Sequence, residues 1–302
     1  MKITALIENK SGNGLVCEHG LAVLIEYEGK KYLLDAGASD SFLQNALNLG
    51  INLEEIDAAI LSHSHYDHSG GFEGFFKINK KANLYLQSTA DELCYEKIGP
   101  ISKYIGIPRN IIENYQNRLI FVKDNLEIAK GVHVIRHTTP DLDKRGKRAK
   151  MYRKENITTS FTADDFSHEQ SLVFETEKGL VILNSCCHAG ADTVVKEVKQ
   201  IFPGKEILAL IGGFHLMGIF GPKTLGMGSL KKEIEKNKNN ETEKLVYESG
   251  RKKVRLLART LEKLGVQQIY TGHCTGDPAF GILQEELGNK IHYFSTATVL
   301  EW

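Results

Sequence analysis

The chain has 302 residues, 41% of them hydrophobic, and its 38 basic residues balance its 38 acidic ones. This length and apolar content allow a large folded domain with a substantial core. The balanced charge argues against a general nucleic-acid-binding protein, and no apolar run is long enough to predict a membrane-spanning helix.

Hydrophobic periodicity predicts short strands interrupted by helices along the chain. This alternation favours two mixed β-sheets packed face to face with helices outside, in one domain covering residues 1–302. Inserts into that domain are expected at about 140–165 and 221–250. Strands are predicted near 2–8, 21–27, 31–35, 57–62, 206–212, 266–270 and 291–300, with two more from about 171, and helices near 40–49, 190–201 and 251–264.

The densest group of chemically active side chains follows the predicted strand near 57–62. It comprises His63, His65, Asp67 and His68, just before the turn marked by Gly70. In extended backbone alternate side chains share a face, so His63 and His65 can bind one cation. Asp67 and His68, beyond the bend, can then face a second cation. A polar surface turn is the simpler alternative, but it does not explain this spacing.

The donor types narrow the choice of metal. Imidazole nitrogen and carboxylate oxygen suit zinc and similar transition metals, whereas calcium and magnesium prefer oxygen ligands. We therefore expect two divalent metal ions, zinc first, with manganese or iron as alternatives.

The motif His63-x-His65-x-Asp67-His68 resembles the signature of the metallo-β-lactamase superfamily. The resemblance implies the α/β (α+β) class and a four-layer αββα sandwich. Tyr32–Gly37 is similar to the first motif of that superfamily, a strand ending in Asp-x-Gly. Three later segments resemble a subgroup, the 7,8-dihydropterin-6-methyl-4-(β-D-ribofuranosyl)aminobenzene-5'-phosphate synthase-like proteins: Asn184–Gly190, Ile211–Leu216 and Thr271–Gly276.

Carried over residue by residue, the resemblance implies two sets of metal ligands. The first set is His63, His65 and His188, and the second is Asp67, His68 and His273. Many members of the superfamily have a further Asp that bridges the cations, and the segment Asn184–Gly190 contains none. Cys186 or His188 is left as the residue that takes its place.

Alternative roles are open for residues near the predicted ligands, namely Asp35, Cys186 and His215. In the superfamily the counterpart of Asp35 orients the ligand loop, so Asp35 is expected behind the ligands, as is Cys186. The alternative for Asp35 is a strand-terminating turn. His215, in a Gly-Gly-Phe-His setting, is a candidate proton donor, substrate contact or metal ligand, with a core histidine as the alternative.

Residues 140–165 carry a local excess of positive charge. If this stretch lies over the metals, Arg145, Arg148 and Arg153 would bind an anionic small-molecule substrate. The alternative is a solvated loop. The polar stretch 221–250 is expected to form a lid, a dimerisation arm or an exposed segment, which leaves a homo-oligomer open.

The other histidines and the cysteines fit structural roles. His19, His133, His137, His168 and His292 lack ligand-rich sequence neighbours, so structural or surface positions are expected for them. The five cysteines suit a reducing compartment, and the first residues read as a strand without a secretory signal. We expect a cytoplasmic protein with neither a membrane nor a nucleic acid as partner.

The leading functional hypothesis is a metal-dependent hydrolase. A water bound between the cations would lose a proton and attack a carbonyl carbon or phosphorus, with Asp67 and His215 as catalytic residues. The subgroup name implies an alternative, a pterin-phosphate synthase that displaces pyrophosphate. A di-iron redox enzyme is a weaker alternative, since that branch has a glutamate where this chain has His65. A nuclease is a further alternative, supported only by the basic stretch.

Overall fold

The computed structural model describes residues 1–12, 14–220 and 241–302. These residues form eighteen strands, most of them buried on at least one face. In chain order the strands are β1 (Lys2–Ile7), β2 (Ala22–Tyr27), β3 (Lys30–Leu34), β4 (Ala58–Ile60), β5 (Asn83–Gln87), β6 (Leu93–Ile98), β7 (Ile101–Tyr104), β8 (Leu119–Val122), β9 (Leu126–Ala129), β10 (Val132–Arg136), β11 (Met151–Lys154), β12 (Thr162–Ala163), β13 (Gln170–Thr176), β14 (Gly179–Leu183), β15 (Ile207–Ile211), β16 (Val266–Thr271), β17 (Ile291–Tyr293) and β18 (Val299–Glu301).

The described helices are mostly short and amphipathic, with one long exception near the carboxyl end. They are α1 (Ser41–Asn48), α2 (Tyr66–Ser69), α3 (Phe72–Ile78), α4 (Arg109–Asn114), α5 (Leu142–Ala149), α6 (Ala191–Ile201), α7 (Glu241–Lys263) and α8 (Asp277–Leu287), with single 3-10 turns at Leu53–Glu55, Gln116–Arg118, His273–Thr275 and Gly288–Lys290. In the described ranges, every helix is too short or too polar to cross a bilayer.

Two seven-stranded mixed sheets form the centre of the molecule. The first has the order β18-β1-β2-β3-β4-β5-β8, and the second has the order β17-β16-β15-β14-β13-β10-β9. Their inner faces share one apolar cluster that includes Val23 and Ile25 of the first sheet and Leu172 and Phe174 of the second. Because successive strand residues point to opposite faces, each sheet also presents an apolar outer face.

Helices cover both outer faces and complete four layers. Phe42 on α1 and Phe75 on α3 pack on the first sheet, while Val194 on α6, Ala258 on α7 and other residues pack on the second. The structure therefore confirms the αββα sandwich expected from the sequence.

A third, four-stranded sheet lies outside the sandwich and was not predicted. Its order is β12-β11-β6-β7. Two of its strands and helix α5 come from residues 140–165, so most of this basic stretch is ordered secondary structure and not a simple solvated loop. The helix expected near 251–264 begins earlier, at Glu241. Of the predicted insert at 221–250, residues 221–240 lie outside the described residues.

Strand register brings distant loops to one edge of the sandwich. In the first sheet Leu34 of β3 lies beside Ile60 of the parallel strand β4. In the second sheet Leu183 of β14 pairs with Ile211 of β15, and Ile211 pairs with Tyr270 of β16. The segments that follow these strands carry the predicted metal ligands, so parallel pairing delivers them to the same edge.

Candidate metal centre

Asp35 organises the loop that carries the first ligands. It follows β3 in the left-handed region, with a φ of 59°, a conformation that Asp tolerates better than most residues. The carboxylate is fully buried, and its Oδ1 accepts a hydrogen bond from the Ser62 backbone N–H at 2.7 Å. Its Oδ2 accepts from Ser62 Oγ and from His68 Nδ1, each at 2.7 Å. These contacts place Asp35 behind the loop that carries His63 and His68.

The same network fixes the tautomers of two histidines. Because Asp35 Oδ2 accepts a hydrogen bond from His68 Nδ1, the proton of that ring is on Nδ1. The Nε2 atom of His68 therefore keeps a free lone pair that can bind a metal. Ser62 Oγ donates to Asp35 and lies 2.9 Å from His63 Nδ1, so it accepts from that nitrogen. His63 Nε2 is therefore also available as a ligand.

The first predicted ligand set comes together in the fold. His63, His65 and His188 offer ring nitrogens within 4.8 Å of one another, and all three side chains are buried. His188 stacks on Phe166, with ring centroids 4.5 Å apart, which fixes its plane. Within the described part of the chain, His63 Nε2, His65 Nε2 and both ring nitrogens of His188 have no hydrogen-bond partner.

The second predicted set is equally compact. His273 Nε2 lies 3.1 Å from His68 Nε2 and 3.4 Å from Asp67 Oδ2. Asn9 Oδ1 accepts a hydrogen bond from His273 Nδ1 at 2.9 Å, so the other ring nitrogen of His273 faces Asp67 and His68. Two imidazole Nε2 atoms at this distance repel unless a cation or a proton lies between them.

Two further buried carboxylates hold the loops of the later ligands. Glu169 accepts hydrogen bonds from the backbone N–H groups of His188 at 2.7 Å and Ala189 at 2.9 Å. Glu8 accepts from the backbone N–H of His273. The sequence analysis missed both roles, because neither glutamate stands in a local motif with the loop it holds.

Burial and neighbouring charges shift the pKa values of the ligands. Burial lowers the pKa of His63 and His188, and it lowers that of His65 to about 3; nearby imidazoles add to the effect. These rings are therefore neutral near pH 7. Burial opposes ionisation of Asp67, but His68 and His273 outweigh it and hold the pKa of Asp67 well below its usual range.

His273 behaves differently in the protein without metal. Burial would lower its pKa, but the hydrogen bond and charge of Asp67 raise the pKa to about 9. A proton on His273 thus takes the position of a cation beside Asp67, and metal binding would release it. Unpartnered ring nitrogens at the first set and this paired proton at the second fit two divalent cations.

Two histidines that lack ligand-rich sequence neighbours, the exposed His19 and the buried His168, also lie beside the predicted ligands. His19 Nε2 is 3.4 Å from Asp67 Oδ2, and the His19 ring stacks on His273. His168 is buried and belongs to a group of potential ligands with His65. It accepts from the Ser64 N–H and bonds Asp164, so it supports the loop from behind.

Two other predicted residues, His215 and Cys186, lie beside the ligands. His215 is partly exposed, and its ring lies 4.3 Å from that of His188, so the structure brings it to the site. Cys186 Sγ is buried, 3.3 Å from His68 Nε2. Both lie close enough to the ligands for the roles that the sequence left open.

The three predicted arginines separate in the structure. Arg145 lies against the ligand loop, since a Cβ at Gly190 would come within 2.8 Å of its Nη2 atom. Arg153 instead forms ion pairs with Glu92 and Asp165. Arg148, on the same helix as Arg145, is exposed. Arg145 is therefore the one of the three that the structure places against the loop that carries His188.

Together, the fold and the converging side chains define an αββα protein with a candidate two-cation centre at one edge. The sequence model described as the metallo-beta-lactamase superfamily matches residues 15–176. The chain belongs to the metallo-β-lactamase superfamily, as the resemblance predicted.

Individual relatives match over most or all of the chain. A 7,8-dihydropterin-6-methyl-4-(beta-D-ribofuranosyl)-aminobenzene-5'-phosphate synthase of Methanocaldococcus jannaschii is 30% identical, covering 100% of this chain and 97% of that protein. An uncharacterised protein of the same organism is 28% identical, covering 72% of this chain and 80% of its own length. Tm1679, whose crystal structure is described as that of a metal-dependent hydrolase of the beta-lactamase superfamily, is 29% identical to this chain. The two structures have a TM-score of 0.75, and the match covers 100% of this chain and 99% of that one.

Proposed function

We propose that this protein is a metal-dependent hydrolase that acts on an anionic, phosphate-bearing small molecule in the cytoplasm. The observation that carries this proposal is the pair of ligand sets, with unpartnered imidazole nitrogens in the first set. The two sets are joined by His63 and His68, whose ring centroids lie 4.3 Å apart. Such an N- and O-donor centre suits two divalent cations, zinc first. Bound cations would supply Lewis acidity and activate water near neutral pH.

The surrounding residues have roles that follow from their positions. Asp67 is anionic and nearly buried, so it can hold the attacking water in line by accepting a hydrogen bond from it. His215 is partly exposed beside His188 and can donate a proton to the leaving group. Both assignments need the substrate to bind on the exposed side of the ligand sets.

Arg145 supports the choice of an anionic substrate. Its guanidinium occupies space that Gly190 leaves open, two residues after His188 in the chain. A guanidinium can bind two phosphate oxygens at once, which would fix the substrate relative to the cations.

The test replaces this arginine in the metal-loaded protein. Arg145→Ala is expected to raise KM for a phosphodiester or a phosphorylated pterin about tenfold or more, because one charge-assisted contact is lost. A lactone should be affected much less. Arg148→Ala is the matched control, since that side chain is exposed on the same helix. Equal effects of the two variants, or hydrolysis that persists after chelation of the metal, would contradict the proposal.

A pterin-phosphate synthase is the second candidate, favoured by the 30% identity over the whole chain to the named synthase. In that reaction the cations would hold a pyrophosphate leaving group. Incubation of the metal-loaded protein with a dihydropterin pyrophosphate and an aminobenzene ribofuranosyl phosphate distinguishes the two candidates. Pyrophosphate release that depends on both substrates would support the synthase, whereas release that depends only on water would support the hydrolase.

A further inference from the structure

Cys186 lies between the two ligand sets. Its Sγ atom is 3.3 Å from His68 Nε2, which belongs to the second set. The same sulfur is within 4.8 Å of a ring nitrogen of His63, which belongs to the first set. The side chain is buried, and it follows the carboxyl end of β14 by three residues. A ligand shared by two cations would occupy this position.

The nearby carboxylates are already engaged, apart from Asp67. Asp35 accepts from Ser62 and His68, Glu169 accepts from the N–H groups of the His188 loop, and Asp164 accepts from the Phe166 N–H and contacts His168. Two divalent cations beside a single carboxylate would leave a large buried positive charge. Within the described residues, Cys186 is the side chain between the two sets that can supply a second negative charge.

A hydrogen bond supports sulfur in this role. Cys274 Sγ accepts from the His215 backbone N–H at 3.2 Å and lies 3.3 Å from Cys186 Sγ, so its own proton can be donated to Cys186. A donor directed at a thiolate stabilises the negative charge and fixes the orientation of the sulfur. Gly213 makes this contact sterically possible, since a Cβ there would come within 2.5 Å of Cys274 Sγ.

We propose that Cys186 Sγ binds both cations directly, as the ligand shared between them. The proposal rests on the two-cation centre of the proposed function and specifies its chemistry. A shared thiolate favours zinc, cobalt or iron over manganese and magnesium, because the harder ions prefer oxygen donors. It also makes the centre sensitive to reagents that modify thiols, although Cys186 is buried.

The test uses the full-length chain, stripped with chelator and reloaded with zinc alone. X-ray absorption at the zinc edge should show sulfur at about 2.3 Å in addition to nitrogen and oxygen ligands. Cys186→Ser should abolish the sulfur signal and lower the zinc content from two ions per chain towards one. Cys187→Ser is the matched control, because Cys187 Sγ contacts the Asn184 carbonyl oxygen in the core. It should keep both the sulfur signal and the zinc content.

Two more variants guard against a folding defect. Cys274→Ser should retain the sulfur signal, which excludes Cys274 as its source even if Cys186→Ser does not fold. Cys186→Asp should keep two cations without sulfur and bind manganese more tightly relative to zinc than the wild-type protein does.

The possible outcomes separate this proposal from the one it depends on. Two zinc ions without sulfur ligation, or a sulfur signal that survives Cys186→Ser and disappears in Cys274→Ser, would overturn the role of Cys186 and leave the metal centre standing. Failure to bind zinc at all in the folded wild-type protein would overturn both.

Discussion

Replacing Asp35 by Asn tests whether tautomer control builds the candidate centre. The carboxylate accepts three hydrogen bonds, two from Ser62 and one from His68. An amide has one acceptor oxygen and one NH2 group. If its oxygen keeps the Ser62 backbone N–H, its NH2 group faces Ser62 Oγ and His68 Nδ1 and donates to them. His68 must then carry its proton on Nε2, where the cation should bind.

The reversed tautomer of His68 predicts a loss of metal affinity. Ser62 Oγ accepts a hydrogen bond from the amide and so donates its own proton to His63 Nδ1. The tautomer of His63 is then reversed as well, and because His63 and His68 belong to different ligand sets, both cations are affected. Loss of such an orienting partner typically weakens metal binding about 10–100-fold, or about 1.4–2.7 kcal/mol. The opposite amide orientation restores the tautomers, but it places an NH2 group against the Ser62 N–H and leaves that donor buried without a partner.

Two measurements check the prediction. Competition with a chromogenic chelator gives the zinc affinities, and two-dimensional NMR of histidine ring nitrogens in the metal-free protein reports the tautomers directly. Asp57→Asn is the matched control, because Asp57 lies just before the same strand β4 but is partly exposed and pairs with Lys81. If a folded Asp35→Asn protein binds zinc as tightly as Asp57→Asn and shows unchanged tautomers, this account of the ligand loop is wrong.

Other substitutions test the remaining parts of the structure. Glu169→Gln should weaken zinc binding at His188 about tenfold in the chelator assay, because only one of its two backbone contacts can persist; equal loss at both cations would contradict this. Burial opposes ionisation of Glu197, but hydrogen bonding from His137 lowers its pKa from 4.5 to about 2. The ionised Glu197 therefore contributes its full stabilisation of the folded protein above pH 4.5, and this contribution is lost as the pH falls through 2. In urea titrations, Glu197→Gln should therefore lower the free energy of unfolding by up to about 3 kcal/mol at pH 7 and by about half as much at pH 3. The control Glu177→Gln changes an exposed glutamate, so its free energy of unfolding should change little at either pH. Phe75→Ala should cost about 3–5 kcal/mol by the same titration, since Phe75 is fully buried under the first sheet, and a loss below 1 kcal/mol would show that the helix layer does not depend on it.

The parts of the centre that are local in sequence could be predicted. His63, His65, Asp67 and His68 follow one strand within six residues, and the resemblance to the superfamily added His188 and His273 to them. The αββα class could be predicted for the same reason, since it depends on alternating burial along each strand.

The parts that depend on contacts between distant, isolated residues could not be predicted. Asn9 and Glu8 contact His273 across more than 260 residues, and no local pattern marks either of them. The position of His19 could not be predicted for the same reason, because His19 and Asp67 are far apart in sequence and meet only in the folded chain. The outer sheet was missed because its pairing of β6 with β11 joins residues 55 to 61 positions apart whose side chains are mostly half-exposed.

The contacts of His273 with Glu8 and Asn9 have a consequence for biosynthesis. The first ligand loop is complete by residue 68, but the proposed second cation also needs His273, which is held by Glu8 and Asn9 from just after β1. A growing chain on the ribosome therefore carries His63, His65 and His68 long before their last partner emerges. Loading of the proposed second cation would therefore have to wait until His273 has left the ribosome and met Glu8, which is 265 residues earlier in the chain.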